Sequence, residues 1–189
     1  MILKKPDFLK SPLQHYQCEL EEIFQNKASV YREKSVKKKL PFIYYLVFPK
    51  TDKKQLMCFS YGVSFATHPD QYNKIELFLQ MDSEDLAWAH VVGYLANQLR
   101  GDCPFNTGEI IRMGQYISQD SKLNAFVVIN PDHTMFPEPI NDGRKSSGIQ
   151  LVELLPIYEV EIKSIQKMGL PIFLNQLKTN KLNPKRKAI

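Results

Sequence analysis

Apolar residues first recur at helical spacing over residues 12–27. Leu13, Tyr16, Leu20, Ile23 and Phe24 fall on one side, and Glu19, Glu21 and Glu22 on the other. Ser11 is suited to cap this segment and Pro12 to begin it, so an amphipathic helix is predicted. A basic stretch follows as far as Lys39. It reads as a solvated loop or helix end closed by Pro41. Residues 42–48 (FIYYLVF) are aromatic and β-branched, and Pro49 stops them. A polar turn over 50–54 leads into residues 55–64 (QLMCFSYGVS), so the pair predicts a hairpin. Gly62 interrupts the second strand, as a bulge or a close backbone approach would require. In residues 74–81, Ile75, Leu77 and Leu79 alternate with Glu76, Phe78 and Gln80, the period of a strand.

Asp82 or Ser83 is expected to cap the next helix, with Glu84 and Asp85 at its positive end. Trp88, Val91, Val92, Leu95 and Leu99 form its apolar stripe, and Gly101 ends it. Residues 103–114 are short and irregular. Residues 123–130 predict a strand, 131–147 a long polar loop, and 149–155 a further strand. Pro156 is expected to open a helix running to Met168, with Glu159 and Lys163 as an i,i+4 pair. Gly169 closes it, and Pro171 starts a last short helix over 172–177.

Strands joined by hairpin-length links, rather than strict strand–helix alternation, predict a single α+β domain. Its sheet is mixed and mostly antiparallel, packed with helices. Residues 1–39 read as an N-terminal helix and basic connector, 40–177 as the α+β core, and 178–189 as a flexible basic tail.

The 189 residues are 43% hydrophobic and 24% charged, an ordinary globular balance. Cys18, Cys58 and Cys103 are odd in number and far apart, which argues against a disulfide scaffold or a cysteine-built zinc site. No apolar run approaches the roughly 20 residues that span a bilayer, and the N-terminus lacks a signal-peptide core. A cytoplasmic protein without membrane contact is expected. The net charge of +5 is localised. Removing Lys178, Lys181, Lys185, Arg186 and Lys187 from the 25 basic residues leaves 20 against 20 acidic ones. A second basic run, REKSVKKK, spans residues 32–39.

Motifs for catalysis are scarce: there is no GxGxxG, P-loop, HExxH or GxSxG. His15, His68, His90 and His133 lack metal-ligand spacing. His68-Pro69-Asp70 copies the J-domain tripeptide but falls between two predicted strands. Asn130-Pro131-Asp132-His133 reads as an Asx-type turn at a strand end. Cys103 has only Arg100 nearby to lower its pKa, and Glu76 has no defined second carboxylate. No catalytic, metal or cofactor residue is therefore assigned. Aromatic strands with a long loop are instead the profile of a protein-binding module.

Several pieces carry a family resemblance: Ser60-Tyr61-Gly62-Val63-Ser64, then Lys74-Ile75-Glu76-Leu77-Phe78-Leu79, then the Trp88 helix ending Leu95-Ala96-Asn97-Gln98-Leu99. Phe105-Asn106-Thr107-Gly108-Glu109-Ile110-Ile111 and Phe126-Val127-Val128-Ile129-Asn130-Pro131 follow. The most telling piece is Leu154-Leu155-Pro156-Ile157-Tyr158-Glu159-Val160-Glu161, with Gly169 closing the helix. Over about residues 40–175 the chain resembles the suppressor-of-fused-like domain family.

The resemblance implies an α+β domain without enzymatic activity. It also implies, from bacterial relatives in polymorphic toxin systems, an immunity protein that binds a cognate toxin domain and blocks it by steric occlusion. The candidate contacts are His133, Phe136, Asp142, Arg144 and Lys145 in the long loop. Two alternatives stay open. One is a regulatory scaffold that sequesters a resident protein. The other is nucleic-acid binding through Lys37, Lys38, Lys39 and the tail.

Overall fold

A seven-stranded sheet organises the molecule, in a computed structural model that describes residues 6–50, 55–144 and 148–189. The expected turn over 51–54 lies outside the described residues, as does Lys145. In chain order the elements are α1 (Pro12–Phe24), β1 (Ser29–Glu33), β2 (Ile43–Lys50), β3 (Gln55–Tyr61), β4 (Ile75–Met81) and α2 (Ala87–Leu99). Then come β5 (Ile110–Arg112), β6 (Ala125–Ile129), β7 (Gln150–Ile157), α3 (Glu161–Met168) and α4 (Leu170–Leu177). The strand order is β1-β2-β3-β4-β7-β6-β5. β4 and β7 are parallel, and the other neighbours are antiparallel. The predicted α+β class and mostly antiparallel sheet are therefore what the chain forms.

Both faces of the sheet are covered. On one face α2 lays Trp88, Val92, Leu95 and Ala96 over Tyr45, Cys58, Leu77 and Leu79. On the other face α1 and the long loop cover the β2–β4 end, burying Tyr16, Leu20 and Phe136 against Phe48, Phe59 and Phe78. The same face near β6 and β7 is covered by α3 and α4, through Ile162, Ile165, Phe173 and Leu177. Every residue of β3 is consequently buried. That double cover is why residues 55–61 show no polar alternation.

α1 begins as predicted, in a reciprocal capping box. Gln14 N–H donates to Ser11 Oγ at 3.3 Å, and Ser11 N–H donates to Gln14 Oε1 at 3.0 Å. Four details differ from the sequence reading. The basic stretch contains an edge strand, β1, paired antiparallel with β2 through Tyr31↔Tyr45. None of its five residues is buried, so no apolar stripe marks its period. α2 begins later than predicted, at Ala87. The Asp85 carboxylate accepts from Ala87 N–H at 2.9 Å, while Ser83 Oγ accepts from Asp85 N–H at 3.0 Å.

Pro156 does not open a helix. It lies in β7 opposite Phe126, beyond the β4 ladder, which ends at Glu153. A residue without an N–H is tolerated there. α3 starts at Glu161, so Glu159 precedes the helix and faces Arg112 at 3.5 Å instead of Lys163. The basic C-terminal segment is packed rather than free. Leu182 O accepts from Asp82 N–H at 2.8 Å, Pro184 O from Ser121 Oγ at 2.6 Å, and Arg186 is buried.

Candidate partner-binding site

Glu76 is the organising group at the start of β4. Its neighbours Ile75 and Leu77 enter the α2-side core, so alternation points Glu76 to the opposite face, where it is wholly buried. A buried carboxylate must be hydrogen-bonded. Here Ser60 Oγ–H donates at 2.6 Å, and the N–H groups of Gly62, Val63 and Ser64 donate at 2.7, 3.2 and 3.0 Å. Burial nevertheless holds its pKa above the ordinary carboxylate value, against the pull of those donors. Gly62 makes this nest possible. Its φ is +132°, and a Cβ would lie 2.8 Å from Ile43 Cδ1. The close approach expected at Gly62 is thus the turn that wraps the carboxylate.

That turn presents Ser64 and Phe65 to the end of the long loop. Asp142 is buried there and accepts from Tyr61 Oη–H at 3.0 Å. It also forms an ion pair with Arg144. Arg144 donates to Ser64 Oγ at 3.0 Å, and its guanidinium lies 4.4 Å from the Phe65 ring centroid. From α1, Glu19 accepts Asn141 N–H at 2.8 Å, and the His15 ring packs against Gly143. The Tyr16 hydroxyl is buried below without a hydrogen bond, and burial among carboxylates drives its pKa well up. At the surface this leaves a small patch of Phe65, Arg144 and His15.

The five loop residues anticipated as contacts separate. Asp142 and Arg144 come together, with Arg144 partly exposed. Phe136 lies in the core, its ring 5.3 Å from Phe78, 5.9 Å from Phe24 and 6.0 Å from Phe59. His133 is exposed beside a turn in which Asp132 accepts from Thr134 N–H at 2.9 Å. His15, Tyr61, Ser64 and Phe65 belong to the same patch and were not anticipated as contacts. A carboxylate in an otherwise apolar strand, followed back to Ser60-Tyr61-Gly62, was the available signal.

No group of three or more His, Cys, Asp or Glu suited to a metal occurs among the described residues. Cys103 donates to Glu109 Oε2 at 3.0 Å, and burial with that carboxylate raises its thiol to about 12, the opposite of an activated nucleophile. The cleft of about 630 Å³ beside α1 is lined by polar side chains that pair with one another, such as Gln17 with Glu21 at 2.8 Å. No helix among the described residues is long and apolar enough to cross a membrane.

The family model for suppressor of fused protein (SUFU) matches residues 40–187. No curated protein matches the chain. Among solved structures, a SUFU homolog from Neisseria gonorrhoeae is similar at TM-score 0.71 and 15% identity, over 93% of this chain and 94% of that one. A Sufu–Fu complex is similar at TM-score 0.60 and 14% identity, over 94% and 92%. Drosophila Suppressor of Fused is similar at TM-score 0.59 and 14% identity, over 93% of this chain and 50% of that one.

Proposed function

This chain belongs to the suppressor of fused family, and we propose that it is a non-enzymatic protein-binding domain that neutralises a cognate bacterial toxin by covering the toxin's working surface. The observation that carries this reading is the likeness in fold to the Neisseria homolog, at TM-score 0.71 over 94% of that chain, against 0.60 and 0.59 for the Sufu–Fu and Drosophila chains. The groups that could do chemistry support it. Glu76 is saturated by four donors, and Cys103 is held as a thiol.

The patch of His15, Phe65 and Arg144, with exposed His133 on the same loop, supplies candidate contacts. An interface of ordinary size would bury roughly 800 Å² on each partner, so the patch would be one part of a larger face.

A nucleic-acid surface made jointly by the basic run and the tail is disfavoured. Lys37 pairs with Asp102 near the Ile75 end of β4, whereas the tail docks at Asp82, beyond the other end. Within the tail, Arg186 is buried and Lys181 faces Glu153 at 3.5 Å.

The test is co-expression with each toxin domain encoded beside the gene. Restored growth and a stoichiometric complex on gel filtration are expected for one of them. A complex with a resident regulator and no rescue from any neighbouring toxin would replace this reading with the sequestering scaffold.

A further inference from the structure

The loop between β1 and β2 concentrates like charge and is nevertheless held in place. Asn97, from the last turn of α2, accepts Val36 N–H at 3.1 Å and donates to Lys34 O at 2.9 Å. Arg100, with no exposed surface, donates to Pro41 O at 2.7 Å, to Gly62 O at 3.0 Å and to Ser35 Oγ. Ser35 Oγ in turn donates to Lys37 O at 2.7 Å and accepts Lys37 N–H at 3.1 Å. Lys39 takes a left-handed φ of +70°, a conformation that L-residues rarely adopt. A loop that merely solvates lysines would spread them apart. This one is fixed by two buried polar side chains and by the same Gly62 turn that wraps Glu76. Fixing a surface before its partner arrives lowers the entropic cost of binding.

The charges on this loop are unequally engaged. Lys37 pairs with Asp102, and the Arg32 guanidinium lies 4.8 Å from the Phe42 ring centroid. The ammonium groups of Lys34, Lys38 and Lys39 are exposed and have no ion pair among the described residues. The nearby carboxylates are Asp102, already paired, and Glu33, which faces Asn97 Nδ2 at 3.5 Å. Between the lysines, Val36 is 55% exposed and Phe42 42% exposed, around a shallow hollow of about 320 Å³.

We infer that residues 32–42 form a preorganised docking surface for an acidic protein segment carrying apolar side chains between its carboxylates. The inference rests on the protein-binding reading above but not on the partner being a toxin. The apolar pair decides for protein over nucleic acid. A phosphate backbone would use the lysines and leave Val36 against water, and a base stacking on Phe42 would find the Arg32 guanidinium already over that ring. An acidic segment with leucine or phenylalanine would cover both.

The test uses the full chain and three fluorescent probes of equal charge: a peptide of glutamates interrupted by leucines, the same peptide with serines for leucines, and single-stranded DNA. The leucine peptide should bind tightest. Lys38→Glu/Lys39→Glu should weaken it about tenfold or more, chiefly at low salt. Val36→Ser/Phe42→Ser should reduce it to the level of the serine peptide. All four positions are exposed, and circular dichroism of each variant checks that it is folded. Tighter binding of the DNA, or leucine-peptide binding that ignores both variants, overturns the inference. The growth assay separates the two readings. Intact rescue beside leucine-peptide binding that ignores both variants removes this surface and leaves the toxin reading. Peptide binding that follows the lysines without any rescue does the reverse.

Discussion

Arg186 and Glu161 form a doubly hydrogen-bonded ion pair, Nη1 to Oε1 and Nη2 to Oε2, each at 2.6 Å and both side chains almost wholly out of solvent. Ile189 N–H adds a second donor to Oε1 at 2.9 Å, Tyr158 N–H a second to Oε2 at 2.8 Å, and Tyr158 Oη–H donates to Arg186 O. The pair clamps the C-terminal segment to the first turn of α3. Removing one member leaves the other as an uncompensated buried charge. Glu161→Ala or Arg186→Ala should therefore cost about 3–5 kcal/mol. Urea denaturation measures this, and hydrogen exchange should show residues 182–189 opening first. A loss under about 1 kcal/mol would mean the pair is incidental to the docking.

Glu76→Ala removes the shared acceptor of Ser60, Gly62, Val63 and Ser64. Each buried donor left unpaired costs about 1–3 kcal/mol, so the sum is expected to exceed about 4 kcal/mol. Glu76→Gln keeps one acceptor oxygen and should be milder. The denaturant midpoints of the two variants, compared with Ser60→Ala, check the order. A Glu76→Ala protein as stable as Ser60→Ala would contradict the nest.

Gly93 lets α2 approach the Tyr45 ring. An added Cβ would sit 2.4 Å from Tyr45 Cδ1. Gly93→Ala should destabilise by about 1–3 kcal/mol despite alanine's higher helix propensity. Adding Tyr45→Leu in the same chain should recover part of the loss, because it removes the ring atom in conflict. Thermal melts of the single and double variants give the answer. No recovery would place the strain elsewhere.

Glu153 lies on the seam between the core under α1 and the core under α3 and α4. Burial raises its pKa above the ordinary carboxylate value, and Lys181 at 3.5 Å pulls it back only in part. Below the unfolded pKa, both folded and unfolded chains are protonated there, and its contribution to stability is complete. As pH rises, the unfolded chain gives up its proton first. Stability is then lost until pH passes the folded value. The melting temperature of the natural chain should therefore fall relative to Glu153→Gln across this range. A gap that stays constant with pH would show that the group is not shifted.

Phe136 and His133 are three residues apart in one loop and should behave oppositely. Phe136→Ala empties an aromatic site and should cost about 3–5 kcal/mol, whereas exposed His133→Ala should stay within about 0.5 kcal/mol. Partner affinity at matched folded fraction then separates a contact from a core residue.

Where one face or one stripe was buried, the pattern was legible. α1 and α2 follow from the spacing of Leu13, Tyr16 and Leu20 and of Trp88, Val92 and Leu95, whereas β4, buried on both faces, was legible because Glu76 and Gln80 interrupt its apolar run. β1 was not legible, because none of its residues is buried and no apolar stripe marks a face. Pro156 looked like a helix start because its local geometry suits one. Only the early end of the β4 ladder made a strand position available to it. The site was half legible. Asp142 and Arg144 were named from their loop, but Tyr61, Ser64 and Phe65 lie some 80 residues earlier in the chain.

The sequence by itself determined the class of fold, the periodic elements and the family, because each depends on residues close together in the chain. The tertiary structure decided which charges are spent inside and which remain outside. Arg100 and Arg186 count as surface charge in any composition, yet both are buried among polar partners. Lys34, Lys38 and Lys39 look like a solvated run, yet a distant arginine and asparagine hold their loop still. Those outcomes depend on contacts spanning about 25 to 65 residues, and no local pattern encodes which buried acceptor a distant side chain will reach.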